Sequence, residues 1–205
     1  MITIYGVHRS RASRNIWLAH ELGIPFKLVP IVQHYRLKEP IPADVVHTKS
    51  PSFLKVNPNG HIPTMVDEGV VLHESLAINL YLAKKNGGPL APANVAEDGE
   101  MGMWSLWAAT EVEPHSLSIA QNGPSPEAIA ALRAPFAVLN DALADGYLVG
   151  KRFTVADVNV AEVVRYAQAA KELFDANPKV KAWFAACLAR PAYRKMWDAR
   201  EKEPA

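Results

Sequence analysis

Three short stretches of the sequence combine residue types that hold charged and peptidic groups. Ser10 falls in the loop between an expected first strand and first helix, where Arg9, Arg11, Arg14 and the positive helix end favour an anion. Ile62-Pro63 stands just before another expected strand, where a cis X-Pro bond exposes the Ile62 N–H and C=O to an extended peptide. Glu74-Ser75 opens a helix, so Ser75 and the free N–H groups of the first turn suit a carboxylate while Glu74 accepts from an ammonium. Each also has a plain structural reading, since most prolines are trans and Glu74-Ser75 fits an N-cap with an acidic neighbour. Taken together, they suit one small ligand with carboxylate, ammonium and peptide groups.

Those residues need elements to position them. Periodicity predicts a strand at 2–5, a helix at 13–22 stopped by Gly23, and a strand at 26–31. A long loop at 33–50 follows, then a short helix at 52–56 with Ser50 as N-cap and Pro51 in the first turn. Residues 62–72 read as a hairpin around an acidic turn containing glycine, and helix resumes after 73–75, with Leu76, Asn79, Leu80 and Ala83 at helical spacing. This order predicts a four-stranded mixed sheet covered by helices over residues 1–84. Residues 85–98, with Asn86-Gly87-Gly88-Pro89 and Ala91-Pro92, read as a linker.

Residues 99–205 then read as an all-helical domain, a C-terminal helical bundle. Its helices are expected at 99–113, 127–145, 155 to about 170 and 179–189, with a last turn at 193–199 and Pro135 kinking or dividing the second. Thr154 and Asp157 have capping-box spacing, flanked by a Phe153 to Val158 staple.

The 205 residues, 49% hydrophobic and 21% charged, suit a globular chain with a sizeable core in one or two domains. Apolar stretches break well before the roughly 20 residues needed to span a bilayer, and no secretory pattern follows Met1, so no membrane association and a cytoplasmic location are expected. Residues 1–84 carry a net +3 and the remainder −2, which suits a small anionic ligand and excludes the basic surface of a nucleic-acid binder. The lone Cys187 forms no internal disulfide or CxxC pair and is expected to be a small buried hydrophobe. His20, His34, His47 and His73 lack metal-ligand spacing, and no metal is expected.

Residues 49–63 and 72–83 resemble the glutathione-site core of cytosolic glutathione transferases. Tyr5-Gly6-Val7-His8-Arg9-Ser10 is similar to the opening of the serine-type members, phi/theta-like and bacterial-type. The resemblance covers essentially the whole chain. It implies a thioredoxin-like domain before the helical one, glutathione (γ-Glu-Cys-Gly) as co-substrate without a metal, and a homodimer. By the same resemblance, Glu74 and Ser75 hold the γ-glutamyl end, the Ile62 backbone before Pro63 pairs with the cysteinyl unit, and Lys49 and His61 face the glycine carboxylate. The resemblance also implies that Ser10 donates a hydrogen bond to the thiolate. Ser13, also a natural N-cap, is the rival hydroxyl, and Tyr5 is a third candidate because other classes use a first-strand tyrosine.

The implied activity is attack by the glutathione thiolate on small hydrophobic electrophiles, a detoxification chemistry. Alternatives are a glutathione-dependent isomerase, dehalogenase or peroxidase, or a non-catalytic binding and interaction module of the same fold. The electrophile is expected between the domains, near His8 and Arg9, with Trp104, Trp107, Glu111 and His115 as liners; Trp104 and Trp107 also suit core or dimer packing. Lowering a thiol pKa from about 8.5 by about two units needs roughly 2.7 kcal/mol. One hydrogen bond to a charged acceptor supplies about 1.5 to 3 kcal/mol and a helix N-terminus about 0.3 to 1, so no general base is required.

Overall fold

The computed structural model describes residues 1–203. Met1–Leu82, joined by the chain from Pro191 onward, forms one compact unit, and Ala83–Arg190 forms a second. The expected C-terminal domain of residues 99–205 loses its last helix to the first unit.

In the first unit, β1 (Ile2–Tyr5) lies between β2 (Phe26–Val29) and β3 (Thr64–Asp67), with β4 (Val70–His73) at the edge, giving the order β2-β1-β3-β4. β1 runs parallel to β2, with Ile2 opposite Phe26, and antiparallel to β3, with Tyr5 opposite Thr64. The parallel pair requires a crossover, which α1 (Ala12–Leu22) supplies. The antiparallel β3–β4 pair closes through Glu68 and Gly69 at φ 50° and 87°, the left-handed pair whose twist suits a two-residue hairpin. The sequence expectation of a four-stranded mixed sheet is met, with β2 ending two residues earlier than predicted.

Residues 12–19 of α1 are all buried, so this helix is covered on every side. α10 (Pro191–Lys202) is a twelve-residue helix packed on α1, longer at both ends than the last helical turn that the sequence predicts at 193–199. Tyr193 and Met196 are its buried residues, and the Tyr193 ring stands edge-on to Trp17 at 5.0 Å. That narrow apolar stripe in a strongly charged segment is a weak periodic signal. α2 (Pro51–Leu54) and α3 (Ser75–Asn86) complete the elements that carry candidate residues. At α2, Ser50 makes no cap bond through its side chain; its Oγ accepts from the His47 N–H at 2.9 Å instead.

The second unit holds six further α-helices among the described residues: α4 (Val95–Trp107), α5 (Glu113–Asn122), α6 (Pro126–Ala142), α7 (Val155–Val164), α8 (Lys171–Asp175) and α9 (Pro178–Ala189). α4 starts inside the expected linker, because Asn94 caps it by accepting from the Glu97 N–H at 3.0 Å while Glu97 Oε2 accepts from the Ala93 N–H at 2.8 Å. Between α4 and α5 the helix widens to a π turn over Ala108–Val112. Pro114, at the start of α5, has no N–H for the carbonyl one turn back, and widening relieves the clash. α6 runs through Pro135 as one helix, so the proline does not divide it.

α7, buried along its whole length, is shorter than expected and passes into a tight turn at Arg165–Ala167. Its capping box is present: the Thr154 N–H donates to Asp157 Oδ2 at 2.8 Å, and Thr154 Oγ1 accepts from the Ala156 N–H at 3.3 Å. Asp157 Oδ1 also accepts from the Leu148 N–H at 3.2 Å and from Trp183 Nε1 at 2.9 Å, tying α7 to α9. Burial pushes the Asp157 carboxyl above its usual range, opposed by these hydrogen bonds. Among the described residues no helix is long and apolar enough to cross a membrane.

Candidate functional site

The turn between β1 and α1 is closed by the Ser10 N–H, which donates to the Val7 carbonyl at 3.1 Å. Ser10 Oγ donates to the same carbonyl at 2.7 Å and accepts from the Ala12 N–H at 3.1 Å. Ser10 therefore caps the first turn of α1 and lies 6% exposed at its positive end. Gly6 makes this tight entry feasible: at φ 153°, a Cβ there would come within 2.8 Å of Ala12 Cβ.

Ser13 is 1% exposed and sits within the helix, which begins at Ala12 instead of residue 13, so it does not cap. Tyr5 is half-buried with its ring 6.2 Å from that of Phe53.

Ser75 is joined to α1 by a polar cluster that the sequence did not disclose. Buried Arg14 donates through Nη1 to Ser75 Oγ at 3.1 Å, and Asn15 Nδ2 donates to the Ser75 carbonyl at 2.8 Å and to Asn79 Oδ1 at 2.7 Å. Asn79 Nδ2 returns a bond to the Arg14 carbonyl at 3.2 Å. Glu74 just before is exposed and left-handed at φ 72°, a conformation costing a non-glycine residue about 1 to 3 kcal/mol and concentrated at binding sites. Its carbonyl accepts from the Ile78 N–H at 2.9 Å, so Glu74 ends the strand side and begins the helix in one residue.

The Ile62-Pro63 bond is cis, and the β1–β3 ladder begins only at Thr64, which leaves the Ile62 backbone outside it. Asn57 braces this corner, donating through Nδ2 to the His61 carbonyl at 3.0 Å and to Thr64 Oγ1 at 2.9 Å. Lys49 and His61 are exposed. Beside Lys49, Thr48 Oγ1 accepts from the His34 N–H at 3.1 Å, and His47 Nδ1 accepts from the Lys49 N–H at 3.2 Å. The His34 and His47 rings meet edge-on at 4.9 Å.

The residues expected around the electrophile divide between the units. His8 and Arg9 lie in the Ser10 turn, where Glu203 accepts both backbone N–H groups. Trp104 and Trp107 meet edge-on at 5.1 Å within the second unit, Trp104 being buried. Glu111 lies exposed on the π turn, and His115 exposed on α5. Among the described residues no group of three His, Cys, Asp or Glu side chains could hold a metal ion. Sequence reasoning misses the bracing roles of Asn15, Asn57 and Glu203. Asn57 had a local sign in its Asn-Pro-Asn-Gly punctuation, whereas the others act across long sequence separations.

A four-stranded mixed sheet in one unit and an all-helical second unit define a two-unit class, an α/β domain followed in the chain by an all-α one. Residues 9–85 match the glutathione S-transferase N-terminal domain and residues 120–191 the glutathione S-transferase C-terminal domain. Glutathione S-transferase 3 of Zea mays is 31% identical over 215 residues, spanning 95% of this chain and 92% of that protein. The structure of glutathione S-transferase III in apo form superposes with a TM-score of 0.78 at 30% identity, covering 100% of this chain and 99% of that one. That of glutathione S-transferase-I bound with lactoylglutathione superposes equally, with a TM-score of 0.78 at 26% identity over 97% and 99% of the two chains. The chain belongs to the glutathione S-transferase family.

Proposed function

We propose that this family member is a serine-type transferase whose first unit binds glutathione and presents its thiolate to Ser10. Family membership carries the transferase activity and its co-substrate. The observation that supports Ser10 as donor is its hydroxyl at the start of α1, buried but bonded only one turn deep to the Val7 carbonyl.

Rotation about its C–O bond moves the Ser10 hydrogen from that carbonyl to the sulfur, while the oxygen goes on accepting from Ala12. The exchange trades a neutral acceptor for a charged one, and charge-assisted bonds are about twice as strong. Together with the helix end, it favours the thiolate at neutral pH without a general base. The sulfur then forms its bond to the electrophilic carbon as the leaving group departs with the bonding pair.

Glu74 and Ser75 hold the γ-glutamyl end in this reading, with Arg14 orienting the Ser75 hydroxyl. The Ile62 backbone beside Pro63 pairs with the cysteinyl unit, and Lys49 and His61 attract the glycine carboxylate. Ser13 and Tyr5 are secondary candidates for the thiolate donor. In the second unit, Trp104, Trp107, Glu111 and His115 are the proposed electrophile contacts; His8 and Arg9 serve the turn. A cytoplasmic homodimer is the proposed working form.

The test is an ultraviolet titration of bound glutathione against pH, following thiolate absorbance. A depressed thiol midpoint that rises in Ser10→Ala supports the assignment. Bound glutathione with an unshifted thiol in the wild type overturns it.

A further inference from the structure

The centre of the Ser10 turn is held by three side chains from distant parts of the first unit. His8 and Arg9 together carry four backbone polar groups, and all four are engaged. Their two N–H groups donate to the two oxygens of one carboxylate, His8 to Glu203 Oε1 at 2.9 Å and Arg9 to Glu203 Oε2 at 2.7 Å. The His8 carbonyl accepts from Arg200 Nη1, and the Arg9 carbonyl accepts from Arg36 Nη1 at 2.8 Å. Arg9 Nε closes the set by donating to the Arg200 carbonyl at 3.2 Å, and His8 Nδ1 lies 3.2 Å from Glu203 Oε1.

The support behind this clasp is itself packed. Arg200 stands 5.3 Å from the Trp197 ring, Trp197 stacks on Tyr193 at 5.7 Å, and Tyr193 meets Trp17 of α1. The clasp is thus anchored on the same helix that Ser10 caps. Bonds from N–H groups to a carboxylate are stronger and shorter than neutral ones, and two on one planar group fix consecutive peptide planes. Ser10 is the next residue, and its own N–H and Oγ return to Val7 at the other end of the turn. The direction of its hydroxyl is therefore set by the conformation of residues 7–10.

We propose that Glu203, supported by Arg200, is a positioning residue for thiolate activation: it holds the turn so that the Ser10 hydroxyl is aimed at the glutathione sulfur. This rests on the assignment of Ser10 as thiolate donor. A displacement of about 1 Å at a reacting group costs up to about 100-fold in rate, so a loosened turn is visible in kinetics even where glutathione still binds.

The experiment compares the full chain with Glu203→Ala, Glu203→Gln, Ser10→Ala and the Ser10→Ala/Glu203→Ala double variant. It reads the thiol midpoint of bound glutathione, kcat, and KM for glutathione. Glu203→Ala is expected to raise the midpoint and lower kcat about tenfold, while KM moves less than about twofold. Glu203→Gln, which keeps one acceptor oxygen, falls between the two, and it carries the test if Glu203→Ala does not fold. On the Ser10→Ala background the Glu203 substitution adds no further loss, as coupling through one residue requires.

A wild-type midpoint and kcat in folded Glu203→Ala, or in Glu203→Gln where that variant stands in, overturns the positioning role. So does an undiminished loss on the Ser10→Ala background. If Ser10→Ala itself leaves the midpoint unmoved, the donor assignment fails and this proposal falls with it; a midpoint raised by Ser10→Ala alone leaves the donor standing and removes only Glu203.

Discussion

Ser10 spends its hydroxyl hydrogen on the Val7 carbonyl before any thiol arrives, so its contribution to catalysis is a difference between two acceptors. A charged acceptor is worth about 1.5 to 3 kcal/mol against about 0.5 to 1.5 for a neutral one, a difference of about 1 to 1.5 kcal/mol, so Ser10→Ala should lower kcat by about 5- to 13-fold, checked by steady-state kinetics with an aryl halide. Ser75 acts on ground-state binding in the proposed reading. Ser75→Ala should therefore raise KM for glutathione with kcat little changed, which Michaelis analysis over glutathione concentration resolves. The same substitution removes the oxygen that accepts from buried Arg14 Nη1, so a fall in thermal stability should accompany it.

At the scale of elements, the join between β1 and α1 depends on a residue without a side chain. Gly6→Ala puts a Cβ 2.8 Å from Ala12 Cβ in a conformation that L residues rarely adopt, and a loss of about 1 to 3 kcal/mol in denaturant unfolding is expected. The start of α4 depends on charge. Arg152 donates to the Pro89 and Ala91 carbonyls, each at 3.0 Å, and reaches Glu97 Oε2 at 2.5 Å. The hydrogen bond from Arg152, aided by the Ala93 N–H, lowers the Glu97 carboxyl from its ordinary 4.5 to about 2.

A depressed carboxyl stabilises the fold above its unfolded pKa and loses that contribution as pH falls through the folded one. The stability gap between wild type and Glu97→Gln should accordingly be constant above about pH 4.5 and close towards pH 2, read as urea midpoints across that range.

At the scale of the molecule, the chain divides its work between a unit with the candidate glutathione residues and an all-helical unit with its own core. That second core includes Trp183, Phe184 and Cys187 of α9 and all of α7. The proposed homodimer predicts a solution mass of twice 22.5 kDa at micromolar concentration, measured by light scattering; a monomeric mass overturns it. The family match and the structural superpositions extend over nearly the whole chain, so both units belong to one architecture.

Local signals in the sequence determined most of the secondary structure and nominated much of the candidate site. Alternation at 2–5, the acidic glycine turn at 68–69 and the Thr154/Asp157 spacing each act within a few residues, and each has its expected element in the structure. Ser10, Pro63, Glu74 and Ser75 were legible as candidates for the same reason, because helix starts and X-Pro corners are local grammar.

Tertiary structure alone decided what depends on distant partners. α10 joined the first unit by packing on α1, where Tyr193 meets Trp17, which a narrow stripe amid charges does not announce. Glu203 reached the N–H groups of His8 and Arg9 across nearly the whole chain, and Arg14 reached Ser75 across 61 residues. Hydrogen bonds between residues so far apart leave no periodicity in the sequence, because their geometry exists only once the core has folded around them.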